Sequence, residues 1–215
     1  NHAEISLGNP VIRIEDQPGY KAVVTDTETI KANQIAICAG KNIFEFMNVE
    51  ITTSIAPIAV VSGLNSSAKS FVELDYRTKN CINLLTKSDG FGLIGGISVN
   101  TEDQAARYLE YLIAEHQKRT PGIEVIGSYN GLKNEVTFKN QKRNYLYHIV
   151  PAQPGIWAVV PGKFTLGFSL AVEFYRRVYN RNPRKFFNTV TDRGEASEYV
   201  SETLWHDIAL IFLSL

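Results

Sequence analysis

Apolar runs of strand length, separated by Gly, Pro, Asn, Asp and Ser, fill most of the sequence between residues 11 and 160. Runs this short bury their side chains as strands of a sheet rather than as independent helices. Residues 10–15 and 20–25, broken at Gln17-Pro18-Gly19, read as a hairpin. Residues 34–39 are nearly all apolar, as expected of a strand covered on both faces, and end on Gly40. Residues 57–61, 71–75, 81–85 and 91–95 follow at a spacing that predicts an antiparallel sheet. Further strands are expected at 124–126, 145–150 and 155–160, the last two joined by Pro151-Ala152-Gln153-Pro154.

Three stretches carry helical periodicity instead. Thr101 and Gln104 match a capping box, Ala105, Tyr108, Leu109, Leu112 and Ile113 fall on one stripe, and Pro121-Gly122 marks the end. A second helix is expected over 166–179, stopped by Asn182-Pro183, and a third over 197–215, with its apolar end at 208–213 buried. Asn130-Gly131 is expected to form a turn. The fold class that results is α/β with segregated sheets (α+β).

Composition narrows the function. A chain of 215 residues that is 44% hydrophobic buries a sizeable core, as one large domain or two small ones. Lys+Arg and Asp+Glu both number 22, so no net field draws the chain to nucleic acid or an anionic membrane. Cys38 and Cys81 both lie in apolar, strand-like contexts, which suits small buried side chains in a reducing, cytoplasmic setting better than a disulfide. The only Met is Met47 and residue 1 is Asn, so a fragment of a longer protein is expected.

The most informative motif is Pro161-Gly162-Lys163-Phe164-Thr165, where an apolar strand runs into a helix. Unpaired N–H groups and the positive end of the helix dipole meet at such a junction, which suits a phosphate or a polarised ring. Gly162 allows close approach, Lys163 adds charge, and the Thr165 hydroxyl caps the helix or meets a ligand; an ordinary helix start with a solvated lysine is the competing reading. A P-loop is excluded, because Gly155 is too far upstream and Lys163 is not followed by Ser or Thr. Gly167-Phe168-Ser169-Leu170-Ala171 only approaches a nucleophile elbow, since Ser169 falls inside the expected helix. His2, His116, His148 and His206 lack metal-ligand spacing. Lys133, Lys139, Lys142 and Arg143 form either a cationic patch for a carboxylate or a solvated face.

Taken in order, these pieces resemble the later part of FAD-dependent oxidoreductases of the D-amino-acid oxidase and glycine oxidase type. The strand Ile35-Ala36-Ile37-Cys38-Ala39-Gly40 is similar to the family strand that returns to the dinucleotide-binding domain, and the hairpin before it to the family's lead-in. Gly131-Leu132-Lys133-Asn134 is similar to a Gly-Leu/Phe-Arg-Pro turn whose arginine grips the substrate carboxylate, with lysine replacing arginine and asparagine replacing proline. A lysine pairs with a carboxylate but lacks the planar fork. Residues 156–178 are similar to the family's final flavin-contacting strand, turn and helix.

The resemblance covers residues 3–180 and implies three parts: residues 1–44 as returning strands of the FAD-binding domain, 45–150 as an antiparallel substrate domain, and 151–180 as the closing strand and helix of the FAD-binding domain; residues 181–215 are a tail outside the resemblance, expected to be helical. It implies FAD contacts at Gly40, Gly162, Lys163, Phe164 and Thr165, with Gly40 beside the adenosine portion. Lys133 is implied in substrate binding, with Tyr129 and Arg143 as lesser candidates, and no residue is singled out as acid or base. The family's G-x-G-x-x-G does not occur, so this chain alone is expected to bind FAD weakly or not at all and to be inactive without a partner segment that supplies it. Partners expected are that segment, a small carboxylate-bearing substrate and a second copy of the chain. A non-catalytic binding or assembly module is the alternative, and a hydrolase using Ser169 ranks below both.

Overall fold

Alternating side chains and a Pro-Gly turn dictate the first element pair. In the computed structural model, which describes residues 4–136, 147–184 and 203–214, β1 (Val11–Gln17) and β2 (Tyr20–Thr25) form the expected antiparallel hairpin. A strand not expected from the sequence, β3 (Thr29–Ala32), adds to β2. Its four residues include two polar ones, too short a run to announce itself.

The chain divides into two compact units, one built from Asn1–Thr52 with Asn134–Asn188 and the other from Thr53–Lys133 with Thr189–Leu215. In the first unit, β4 (Ile35–Ile37) lies parallel to β11 (Ile156–Val160), and β11 is also antiparallel to β10 (His148–Gln153), giving the order β10-β11-β4. Pro151 continues β10 rather than opening the connection, and Gly155 at φ +82° makes the turn. Strand β11 is covered on both faces. Ile156, Ala158 and Val160 pack with Ile37, Ile43 and Val136, while Val159 packs with Ile149 and with Leu170 of α2 (Gly167–Tyr179). Helix α2 ends at Asn180, which adopts the left-handed conformation at φ 49°, upstream of the expected Asn182-Pro183 stop.

The second unit holds a five-stranded sheet in the order β6-β7-β8-β5-β9, in which β6, β7, β8 and β5 pair antiparallel as expected. Strands β6 (Phe71–Asp75), β7 (Asn80–Thr86) and β8 (Gly92–Gly96) keep their expected positions within a residue. Strand β5 (Ile51–Ser62) begins well before the expected residue 57. The Ile55–Val99 bridge and the Ala59–Ile94 pair differ in register by one residue, so the ladder is interrupted around Pro57, where a missing donor is tolerated. Strand β9 (Glu124–Val136) overturns the expected turn at Asn130-Gly131. Gly131 lies in mid-strand, where a Cβ would stand 3.6 Å from the Ala56 carbonyl of β5, so sheet pairing overrides a local turn preference.

Helix α1 (Glu102–Arg119) packs its expected stripe on this sheet: Leu112 is buried against Ala59, Ile82, Leu84 and Ile94, Tyr108, Leu109 and Ile113 pack on the same cluster, and Ala105 is buried. The Thr101 hydroxyl accepts from the Gln104 N–H at 3.2 Å, as expected, while the Gln104 side chain accepts from Asn100 N–H instead of Thr101 N–H. Helix α3 (Leu204–Leu213) covers the part of the expected 197–215 helix that lies within the described residues, apart from Thr203 and Ser214 at its ends. A Cβ on Gly127 would stand 2.7 Å from Ile208 Cγ2, Phe212 meets Phe91 edge-on, and the Lys87 ammonium sits 4.9 Å from the centre of the Trp205 ring. The expectation of a buried apolar end holds for Ala209 and not for Leu210, Ile211 and Leu213, which are exposed.

Candidate functional site

Parallel strands put their carboxyl ends on one edge of a sheet, and ligands of open α/β sheets bind outside that edge. In the first unit the parallel pair is β4 and β11, with Ile35, Ala36 and Ile37 opposite Ile156, Trp157 and Ala158. The Trp157 Nε1–H donates to Gln34 Oε1 at 2.9 Å, and Ile35 N–H to the Gly155 carbonyl at 2.8 Å, fixing the start of the pair. Both strands then leave the sheet the same way. Each reaches a glycine with positive φ, Gly40 at 59° and Gly162 at 65°, and each enters a 3-10 helix, Gly40–Glu45 and Phe164–Leu166. An L-residue is disfavoured at both glycines.

Gly40, Gly162, Lys163, Phe164 and Thr165 therefore share one edge. At Gly40 a Cβ would stand 3.3 Å from Asn134 Nδ2, so the end of β9 crowds this turn. Lys163 N–H donates to the Pro161 carbonyl at 2.6 Å and Leu166 N–H to the Lys163 carbonyl at 3.0 Å, so the turn uses these donors internally. The side chains of Lys163 and Thr165 are exposed. No side-chain oxygen caps α2, and its N-cap is Leu166, so the capping role expected of Thr165 is not observed; Thr165 lies within the 3-10 helix, one residue before the N-cap.

Cys38, one residue beyond β4, is exposed at the same edge and not buried as its apolar context suggested, because the strand stops at Ile37. Protein packed along the rest of its side chain still pushes its thiol pKa up. Cys81 is buried as expected.

Two residues at this edge were not singled out in the sequence. His148 on β10 stands opposite Val160, the last residue of β11 before the Pro161-Gly162 turn. Glu135, next to Asn134 at the end of β9, is only 7% exposed. Burial lowers the pKa of His148, and the nearby Glu135 charge acts to raise it. No short motif announces either residue, since a register match places them.

The expected substrate residues lie on β9 in the second unit. Alternation puts Tyr129, Gly131 and Lys133 on one face, with Tyr129 and Lys133 both half-buried. Their Cα atoms are about 13 Å apart along the strand, at roughly 3.3 Å per residue. Gly131 between them leaves the floor of this face to Ala56 and Ile58 of β5. Burial raises the Tyr129 pKa, so the phenol stays protonated well beyond neutral pH. Lys139, Lys142 and Arg143 lie outside the described residues. Ser169 sits exposed on α2, away from the strand-to-helix turn that a nucleophile elbow requires. Among the described residues no group of His, Cys, Asp and Glu is arranged to hold a metal, and no helix is long and apolar enough to cross a membrane.

No family model and no curated protein matches the sequence. Solved structures do. The chain is similar to L-proline dehydrogenase from P. horikoshii (TM-score 0.63, 10% identity, 82% of this chain and 50% of that one). It is similar to L-α-glycerophosphate oxidase from Mycoplasma pneumoniae, solved with FAD bound (TM-score 0.59, 18% identity, 83% and 52%). It is also similar to L-amino acid deaminase from Proteus vulgaris (TM-score 0.58, 16% identity, 82% and 47%). At these identities the likeness is one of fold. The chain has the fold of FAD-dependent amino acid oxidases and dehydrogenases over about half the length of the structures it matches, in line with the resemblance read from the sequence.

Proposed function

We propose that this chain supplies the substrate sheet and one flavin-facing edge of an FAD-dependent oxidoreductase that oxidises an amine or hydroxyl carbon of a small carboxylate-bearing molecule. The observation that carries this reading is the parallel pair β4 and β11, both leaving the sheet through positive-φ glycines at one edge. Those glycines fit a flat, polar cofactor, because they open backbone at positions where side chains would stand. Gly40, Gly162, Lys163, Phe164 and Thr165 would line it. FAD supplies, when bound, the two-electron chemistry; the chain's own groups position it and the substrate.

On the substrate sheet, Lys133 pairs with the carboxylate as a point charge, Tyr129 presents a protonated phenol beside it, and Arg143 is a further candidate. The diphosphate anchor would come from a further segment bearing a G-x-G-x-x-G motif, the partner with which residues 1–44 and 151–180 complete an FAD-binding domain. Substrate binding falls to residues 45–150.

The exposed apolar residues Leu204, Leu210, Ile211 and Leu213 of α3 favour a second reading, a non-catalytic assembly module of the same fold. One experiment separates the two. The longer protein, with its upstream segment, is expected to purify yellow and to bleach when substrate is added without oxygen. Lys133→Ala should weaken substrate binding about tenfold or more and leave the flavin content unchanged. A protein that stays colourless with added FAD supports the assembly module, and loss of flavin from the Lys133 variant refutes the role given to that lysine.

A further inference from the structure

Cofactor edges of sheets carry charge as well as shape, and this one contains a titratable group that the proposed chemistry does not use. Val136 packs in one cluster with Ile37, Ile43, Ala158 and Val160, which brings the end of β9 against both parallel strands. His148 pairs with Val160, and alternation along β10 puts it on the same face as Val150, whose side chain packs on that cluster. Glu135 precedes Val136 and is buried, while its neighbour Asn134 crowds Gly40. The ends of β4, β9, β10 and β11 thus converge, with the His148 imidazole at the end of β11 and within reach of the charge of the Glu135 carboxylate on β9.

We propose that Glu135 and His148 form a proton-holding pair that couples protonation of His148 to the binding of an anionic ligand group at the Gly40 and Gly162 turns. The assignment of the ligand class rests on the flavin reading above. With Glu135 charged and His148 neutral the pair carries one negative charge, which opposes an anion nearby. One proton on the imidazole removes that charge without moving the backbone. An anion binding across the turns therefore favours proton uptake, and by reciprocity a proton favours the anion. Neutral imidazole is the resting form, since burial outweighs the Glu135 charge in setting the His148 pKa. The charge from β9 is that of Glu135, the facing residue on β11 is Val160, and Arg177 of α2 reaches β10 at the Ile149 carbonyl, 3.3 Å away.

The anionic part of the cofactor is its diphosphate, since the oxidised flavin ring is neutral between pH 6 and 8. ADP carries the diphosphate without the ring and riboflavin the neutral ring without phosphate, so riboflavin serves as the uncharged control. Binding of FAD, ADP and riboflavin to the cofactor-stripped longer protein, with its upstream segment, is measured by fluorescence and calorimetry between pH 6 and 8. FAD affinity is expected to rise as pH falls, by at most about tenfold per pH unit for one linked proton. ADP should follow the same slope and riboflavin should show none, and an equal slope with riboflavin refutes the charge coupling. Glu135→Gln should bind more tightly than the parent at pH 8 and lose the slope, whereas His148→Gln should stay weak and flat.

A purely structural role predicts weaker binding for both variants. Equal slopes in parent and variants, or FAD binding without any slope, overturn the proposal. The imidazole is also followed by NMR without ligand, assigned with the His148→Gln variant. Removing the Glu135 charge should lower the His148 pKa, and an unchanged titration refutes the pair. If that titration shifts but no probe binds, the pair stands as a titrating unit, the coupling is refuted, and the flavin reading fails with it.

Discussion

Gly96 offers the sharpest quantitative test of how the five-stranded sheet is held to its helix. The last residue of β8 lies beneath Tyr108 of α1, whose hydroxyl accepts from Ile97 N–H at 3.2 Å and donates to the Cys81 carbonyl at 2.5 Å. A Cβ on Gly96 would overlap both that hydroxyl and the Cys81 carbonyl. Gly96→Ala must therefore expel the phenol. Two hydrogen bonds are lost at about 1 kcal/mol each, and a polar group left without a partner adds roughly 1–3 kcal/mol. The stiffer unfolded chain returns about 0.4–1 kcal/mol. The net cost by these terms is about 2–5 kcal/mol, routed through one hydroxyl. Tyr108→Phe removes that hydroxyl directly and should cost about 1–2 kcal/mol. The double variant should then be little worse than Gly96→Ala alone, a coupling of at least about 1 kcal/mol. Urea unfolding at 25 °C with constant m-values measures all four corners of the cycle. Additive losses would show that Gly96 matters through the Cys81 carbonyl or strand entropy and that the phenol is not the point of conflict.

Two further perturbations test the same unit. Thr101→Ala removes the hydroxyl that accepts from Gln104 N–H and should cost about 1 kcal/mol in unfolding free energy, with Thr101→Ser nearly neutral. His116 is buried on α1 with its ring 5.6 Å from that of Phe71, and burial first, then the Arg119 charge, lower its pKa, against the opposing pull of Glu73, Glu115 and a backbone contact at Asn83. The unfolded chain therefore binds the proton more readily, so stability is full above about pH 6.5 and falls as pH drops below it. Denaturation midpoints from pH 8 to 5 should show this loss in the parent and not in His116→Gln, and identical pH curves would remove His116 from the account.

Local signals explain what could be read directly from the sequence. The hairpin β1-β2, the strands β6 to β8 and the capped helix α1 each announce themselves within about one window of residues, through alternation, turn residues or an i, i+3, i+4 stripe. Asn130-Gly131 misled for the same reason: its turn preference is local, whereas its strand state is imposed by β5. The edge with Gly40 and Gly162 was legible as two separate strand endings. That they share an edge follows from a parallel register across residues distant in sequence, which no motif encodes. Glu135 and His148 were invisible on that account. A buried carboxylate in a run reading Lys133-Asn134-Glu135 looks like a solvated one until the packing of Val136 is known.

The pairing of β4 with β11 also explains how an edge assembled from such short pieces holds its shape. Strand β4 contributes three register pairs, and the whole of Thr53–Lys133 lies between it and β11 in sequence. Loop-closure entropy grows only logarithmically, so an insertion of this length costs about 0.6 kcal/mol more than one half as long. The enthalpy of three parallel pairs offsets little of the closure cost itself. What holds the strands together is the cluster beneath them, where Ile43 of the 3-10 helix after Gly40 is fully buried against Ile37, Ala158 and Val160. The glycine turn at Gly40 thus has an anchor immediately downstream, and the turn at Gly162 has one in Leu170 of α2. Each positive-φ glycine is flanked by a buried strand on one side and a buried helical residue on the other. Fixing a glycine costs more backbone entropy than fixing any other residue, and here the core of the first unit supplies the constraint from both directions.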